Sequence, residues 1–432
     1  MFCRGYILLP LVAALLLVSG VNVYAQHRND GCDLPRTPLI PYATAADAAS
    51  HRMDKQRYMQ PISEWTADEN DVLHATFTYP FSWVERQVFI RVEALGRAYE
   101  LWVNGKRVGA SSNGYVAAEY NATKQAKEDK NSIELRLLDS KELKTIECFE
   151  QRLMQPAVYV MAQPRVRVRD VACRTDIGVG GVVNANFSVI MCNQTLGEKQ
   201  ARLYYELYMN DTVRLSGGHR DVTLGMYGVD TLRFGASLSD SVLWSRVAPT
   251  RLSLRLHNRI GGRDVEFYDL PVALREIRYE DGDFWVNGTR EPVEWHELSP
   301  DADVATVASL RDAGCRYLRF TAGVVSDDVL DYCDAVGLYV AVTAPINSSL
   351  SGDSRRRGGN PSNNPSWTAE YVSRITSMIH TTKRHPSVVA YFLADDSANG
   401  IALYEGYLAA RRIAGERPIF YDDGNGEWNS DK

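Results

Sequence analysis

Arg384-His385-Pro386-Ser387-Val388-Val389-Ala390-Tyr391-Phe392-Leu393-Ala394-Asp395-Asp396-Ser397 runs from a turn through an unbroken apolar stretch to two adjacent carboxylates. Residues 388–393 have no polar alternation, as expected of a parallel strand covered on both faces. His385 and Pro386 set the turn into it, because the residue before a proline is pushed out of helical geometry. Catalytic groups of (β/α) barrels stand where such strands end, so Asp395 and Asp396 fall at a barrel mouth. Two readings of the pair stay open. It is either a capped turn, whose carboxylate accepts backbone N–H groups before the next helix, or a general acid.

Working outward, residues 276–432 repeat a strand, loop and helix pattern. A hairpin around Asn287-Gly288 leads to a first strand ending at Glu294-Trp295-His296-Glu297. Residues 304–313 form a helix closed by Gly314, and Tyr317-Leu318-Arg319-Phe320 is the second strand. A helix carrying Val329, Leu330 and Tyr332 stops at Gly337 before a third strand at 338–342, and residues 371–380 form the helix that precedes the quoted stretch. After a helix at 404–413, Arg417-Pro418-Ile419-Phe420-Tyr421-Asp422-Asp423 gives a fifth strand. A complete barrel has eight strands and ~250 residues, so this one is expected to be incomplete.

The N-terminal half has the other period. Residues 71–139 alternate, with Tyr99, Leu101 and Val103 opposite Glu100 and Trp102, and Asn104-Gly105 supplies the positive φ values of a type I′ turn. Residues 163–275 read as an immunoglobulin-like sandwich. Arg165-Val166-Arg167-Val168-Arg169-Asp170-Val171 and Arg251-Leu252-Ser253-Leu254-Arg255-Leu256 alternate strictly, which predicts one wet and one dry face.

Across residues 71–432 these segments resemble glycoside hydrolase family 2, the family of β-galactosidases, β-glucuronidases and β-mannosidases. Its acid strand typically reads R-x-H-P-S-I-x-x-W-S-L-G-N-E, the Asn contacting sugar and the Glu serving as acid/base. Here Asp395 and Asp396 occupy those positions. Trp102-Val103-Asn104-Gly105-Lys106-Arg107-Val108-Gly109 and Asn113-Gly114-Tyr115 are similar to the W-V-N-G-x-x-V-G and G-G-Y of the family's sugar-binding jelly roll. That domain is often structural, so Trp102 and Tyr115 are read first as core packing, with an exposed ligand role as the alternative. Leu243-Trp244-Ser245 with Pro249 resembles the W-S-x-x-x-P segment, and Tyr332-Cys333-Asp334 matches an L-C-D site, which makes Cys333 a buried thiol.

The resemblance implies a jelly-roll β-sandwich at 26–162, an immunoglobulin-like β-sandwich at 163–275 and a partial (β/α) TIM-type barrel at 276–432, after a signal peptide at 1–25. It also implies drift. Thr321-Ala322-Gly323-Val324 stands where the family has a sugar-binding His, and Thr343 stands where an acidic residue is expected. The family nucleophile lies on a strand later than the fifth, and retaining hydrolysis needs two carboxyls about 5 to 5.5 Å apart. Asp396 is a methylene shorter than Glu, withdrawing its carboxyl by about 1 Å. A β-galactosidase-like protein without hydrolytic activity is therefore expected, with an active glycosidase completed by another chain, or a truncated or assembly protein, as alternatives. His296 and Glu297 are read as a hydrogen-bonded pair closing the first strand or as saccharide contacts. Arg319 is read as the partner of a barrel carboxylate, structural in the first instance.

Composition fits this picture. The chain is 45% hydrophobic and 24% charged with a net charge of −6, which argues against nucleic acid. Arg355-Arg356-Arg357 beside Gly358 and Gly359 is read as a solvated loop. Arg4, the apolar run at 7–18 and Val23-Tyr24-Ala25 predict a cleaved secretory signal, and hence a periplasmic or extracellular protein. No later segment reaches the ~20 apolar residues of a spanning helix. Removing Cys3 leaves an even number of cysteines, of which Cys173 and Cys192 are the candidate disulfide, with Cys32 to Cys148 weaker. No Cys and His spacing suggests a metal, and no cofactor is expected. The open edges of a five-stranded barrel predict self-association, a protein partner or a C-terminal segment folded back.

Overall fold

The computed structural model describes residues 39–52, 56–149, 157–424, 427 and 429–431. The stretch at 1–25 expected to be a signal peptide and Cys32 lie outside these residues.

Two sheets build the first sandwich. One has five strands in the order Thr66–Ala67, Val72–Tyr79, Asp129–Leu137, Tyr99–Val103 and Lys106–Ser111. The other has four, in the order Met59–Ile62, Val158–Gln163, Gln87–Val92 and Ala118–Asn121. Phe77, Ile90, Leu101, Ile133 and Val160 fill the space between them. Asn104 and Gly105 take φ values of 50° and 71°. The Asn104 amide also donates to Gln125 O at 2.9 Å and Asn131 Oδ1 at 2.8 Å, so the hairpin tip is bonded to the sheet beneath it.

The second sandwich pairs a three-stranded sheet (Val166–Ile177, Val183–Asn193, Val229–Leu238) with a four-stranded one (Val213–Leu224, Lys199–Met209, Leu252–Ile260, Arg263–Val272). Val166 and Val168 face its core, but the expected wet face of that strand is dry: Arg167 and Arg169 are buried as well. The reason is the neighbouring sandwich. Arg169 Nη1 lies 3.2 Å from Glu119 Oε2, whose other oxygen takes Arg91 Nη1 at 2.9 Å, and the Arg167 guanidinium covers the Phe89 ring at 4.6 Å.

The Cys173–Cys192 pairing is also corrected. Cys173 stands opposite Phe187 in the antiparallel ladder, and Cys192 stands opposite Arg167. Five residues at ~3.3 Å rise separate the two along the sheet, far beyond the Cα spacing a disulfide spans.

A meander of Ile277–Glu280, Asp283–Val286 and Thr289–Glu291 leads into a parallel sheet. Its strands are β1 (His296–Leu298), β2 (Tyr317–Phe320), β3 (Tyr339–Thr343), β4 (Val388–Phe392) and β5 (Ile419–Phe420), adjacent in chain order. The connecting helices are α1 (Val304–Asp312), α2 (Asp327–Val336), α3 (Thr368–Thr382) and α4 (Ile401–Arg411). Asp303 and Ser326 cap the first two through their side chains, and Gly337 ends α2 at a φ of 74°. A side chain at Gly337 would also meet Arg246 O at 2.4 Å, so only glycine fits there.

β2, β3 and β4 are dry on both faces, which is why these strands lack alternation. Leu318, Phe320, Val340, Val342 and Tyr391 pack with the helices. On the inner face, Ala341, Ala390 and Phe392 meet Phe284 and Val286 of the meander. Among the described residues the arc does not close, since β1 and β5 each have one neighbour. The outer edge of β5 is met by the chain's last residues: Ile419 N–H donates to Asp431 Oδ2 at 2.8 Å, and Asp431 N–H donates to Ile419 O at 2.8 Å.

Candidate functional site at the barrel mouth

The sheet delivers polar side chains to its C-terminal edge, where backbone ladders end and strand direction aims them at one opening. Glu297 comes from β1, Arg319 from β2, Thr321 from just beyond β2, Asn347 from beyond β3, Asp395 and Asp396 from beyond β4, and Tyr421, Asp422 and Asp423 from beyond β5. Together they line a cleft of about 220 Å³.

Arg319 is the hub. Its Nη2 lies 3.0 Å from Asp395 Oδ1 and its Nη1 lies 3.1 Å from Glu297 Oε1; Nη1 also bonds to Asp422. The guanidinium carbon lies over the Phe392 ring, 3.8 Å from its centroid. Stacking suits a planar, weakly hydrated cation and removes one of its faces from solvent.

Asp395 is fixed from three sides. Its backbone N–H donates to Ile346 O at 3.0 Å, and its second oxygen accepts Ala322 N–H at 2.6 Å. Burial raises its proton affinity above the ordinary carboxylate range, while the Ala322 N–H and Arg319 pull the other way and the charge of Asp396 adds to the rise. The carboxylate thus accepts a backbone N–H, but from the loop after β2. The reading of a cap on the following helix is therefore corrected: α4 starts at Ile401 behind the N-cap Gly400, with no side-chain cap. Asp396 is exposed, and its backbone carbonyl accepts Ser348 N–H at 3.2 Å.

The His296 and Glu297 pair is corrected as well. Neighbours on a strand point to opposite faces. Glu297 reaches Arg319, whereas His296 is exposed outside the cleft lining. Thr343, in place of the expected acid, donates to Phe320 O at 2.6 Å and is buried. Trp102 is half-buried beneath the Arg136 guanidinium at 3.9 Å, and Tyr115 is buried edge-on to Phe149.

Sequence reading passed over Asp422, Asp423 and Asn347 as cleft residues. The signal was available for the two aspartates, which end a barrel strand just as Asp395 and Asp396 do. It was weaker for Asn347, placed by an isolated parallel bridge to Asp395 and another to Glu147 of the first sandwich. The fold also brings together Asp331, Asp334 and His385, residues far apart in sequence, with ligand atoms within 4.8 Å. Asp334 already has both oxygens in bonds, to Ser387 and to His385 Nδ1 at 2.8 Å, so the group is a buried His–Asp anchor beneath β4.

Two antiparallel sandwiches thus precede a parallel barrel arc whose mouth is lined by carboxylates. Comparison makes this specific. The sugar-binding domain model of glycosyl hydrolases family 2 matches residues 57–227, and the TIM-barrel domain model of the same family matches residues 324–431. Together they span more than half of the sequence, and the chain belongs to glycosyl hydrolase family 2. It is 22% identical over 380 residues to a β-galactosidase of Psychromonas ingrahamii, covering 82% of this chain and 36% of that protein. It is 21% identical over 427 residues to a β-galactosidase of Priestia megaterium, covering 94% and 40%. The crystal structure of a Bacteroides uniformis β-glucuronidase superposes with a TM-score of 0.67 at 16% identity, over 91% of this chain and 50% of that one. The chain thus spans about two fifths or less of the curated relatives it matches.

Proposed function

We propose that this β-galactosidase-like protein is exported and binds a saccharide at the barrel mouth without hydrolysing it. The observation that carries this reading is the engagement of Asp395, held by Arg319 at 3.0 Å and by the Ala322 amide at 2.6 Å, beside an exposed aspartate at the acid/base position. A fixed carboxylate suits ligand positioning. Proton delivery at a glycosidic oxygen requires reach, and Asp396 is about 1 Å short of a glutamate. The order of charged, apolar and small residues at the N-terminus supports export.

Aryl β-galactosides, β-glucuronides and β-mannosides incubated with the purified mature chain test the reading. The expected result is turnover at background together with measurable saccharide binding. Turnover that disappears in Asp396→Ala overturns it.

A second reading is favoured by the single-neighbour edge of β1. In it, a second copy of the chain or another protein supplies the strands that complete an active glycosidase, because unpaired strand edges recruit partners. Light scattering combined with the same assays separates the two: a monodisperse, inactive monomer excludes the second.

A further inference from the structure

The charges of the cleft have one sign where they meet solvent. Five carboxylates (Glu297, Asp395, Asp396, Asp422 and Asp423) face a single guanidinium. That cation is drawn back: Arg319 is 9% exposed, lies over Phe392, and has both terminal nitrogens engaged by Glu297, Asp422 and Asp395. By contrast, the Glu297 and Asp422 side chains are 62% and 61% exposed, and Asp396 is exposed beside them. An entering ligand therefore meets carboxylates before it meets the arginine. Thr321 and Asn347 add neutral groups able to bond hydroxyls.

We propose that the barrel mouth selects saccharides bearing a free amino group, taken as the ammonium form, and rejects uronic acids. This inference rests on the reading of the mouth as a saccharide site and adds the ligand's charge to it. Hydroxyls of the sugar meet the neutral lining, while the ammonium lies among Asp396, Glu297 and Asp422. A uronate carboxylate entering the same space faces like charges with no accessible cation, and like-charge juxtaposition is strongly unfavourable. The attraction falls with ionic strength, since the carboxylates concerned are solvent-exposed.

The test uses three trisaccharides with the purified mature protein: β-1,4-linked glucosamine, its fully N-acetylated counterpart, and α-1,4-linked galacturonate. Calorimetric titration is run at about pH 6, below the ~8 at which a free amine loses its proton. The expected result is glucosamine binding at least about tenfold tighter than the N-acetylated form, no detectable galacturonate binding, and loss of the preference in Asp396→Asn and in Glu297→Gln. Both variants alter exposed side chains, and circular dichroism checks their fold. Equal binding of the amine and N-acetyl forms, or preferential binding of galacturonate, overturns the charge inference and leaves saccharide binding at the mouth standing. Glucosamine binding untouched by either variant overturns it too, because the ligand then sits elsewhere. Failure of all three sugars, and of neutral galacto- and mannosaccharides, removes the saccharide reading itself and this inference with it.

Discussion

Arg319 and Asp395 tie β2 to β4 across the intervening β3 through a bond of 3.0 Å, at the level where the backbone ladder ends. The pair makes the mouth a braced edge, because loops after two non-adjacent strands cannot separate while it holds. Arg319→Met would keep the stacking on Phe392 but leave Asp395 buried without its cation. Stranding one partner of a largely buried pair costs about 3 kcal/mol, whereas the exposed contacts to Glu297 and Asp422 add little. Urea denaturation followed through barrel tryptophans should show that loss. Asp395→Asn, which keeps an acceptor for the Ala322 amide, should lose less.

A second brace joins the barrel to the first sandwich. Arg374 on α3 is fully buried, with Nη2 2.5 Å from Glu147, Nε 2.8 Å from Glu370 and Nη1 2.8 Å from Pro345 O. Glu370 also accepts the Ser112 hydroxyl at 2.7 Å, so sandwich and barrel share one network. Arg374→Met should strand two buried carboxylates and destabilise the chain by about 3 to 5 kcal/mol. Limited proteolysis is expected to cut near the junction of the two domains in this variant first. Cutting at wild-type rates would show that the network does not hold them together.

What the sequence made legible follows from where one interaction dominates. The Asn104-Gly105 and Asn287-Gly288 hairpins, the strand at Tyr317–Phe320 and the helix stop at Gly337 are local matters of φ and apolar run. They could be read without knowing any neighbour. Arg167 and Arg169 could not, because their alternation predicted solvent and the first sandwich sits there instead. Cys173 and Cys192 misled for a related reason: flanking a turn suggests proximity, while the ladder register sets them well apart. At the mouth, Asp395, Asp396 and Arg319 were readable as chemistry. That Arg319 gathers Glu297 and Asp422 as well depends on the curl of the sheet, which no local pattern records.

The cysteine correction has a direct check. Peptide mapping of protein kept under oxidising conditions, without reductant, should yield no peptide joining Cys173 to Cys192. Alkylation of the native protein before digestion should mark the exposed Cys173 ahead of the buried Cys192. Recovery of the linked peptide in good yield would show that the ladder between Val166–Ile177 and Val183–Asn193 has a different register.

The His385 anchor sets a pH dependence whose direction is fixed. The ring is buried, and burial alone would lower its proton affinity. The carboxylates of Asp327 and Asp334 outweigh that, so the folded-state pKa lies above the ordinary histidine value. Asp334 contacts Nδ1 at 2.8 Å, Asp331 lies 3.7 Å from the same atom and Asp327 3.8 Å from Nε2, while the Arg384 charge opposes protonation. A histidine that binds its proton more tightly when folded contributes stability that is complete below the unfolded pKa of about 6.5 and is lost as pH rises through the folded value. Calorimetry from about pH 6 upward should therefore show part of the barrel's stability draining away above neutrality. His385→Gln, which keeps a donor toward Asp334 but cannot titrate, should be less stable at the acid end and lack this component of the slope. An unchanged slope in that variant would mean that other groups govern the dependence and that His385 stays neutral beneath β4.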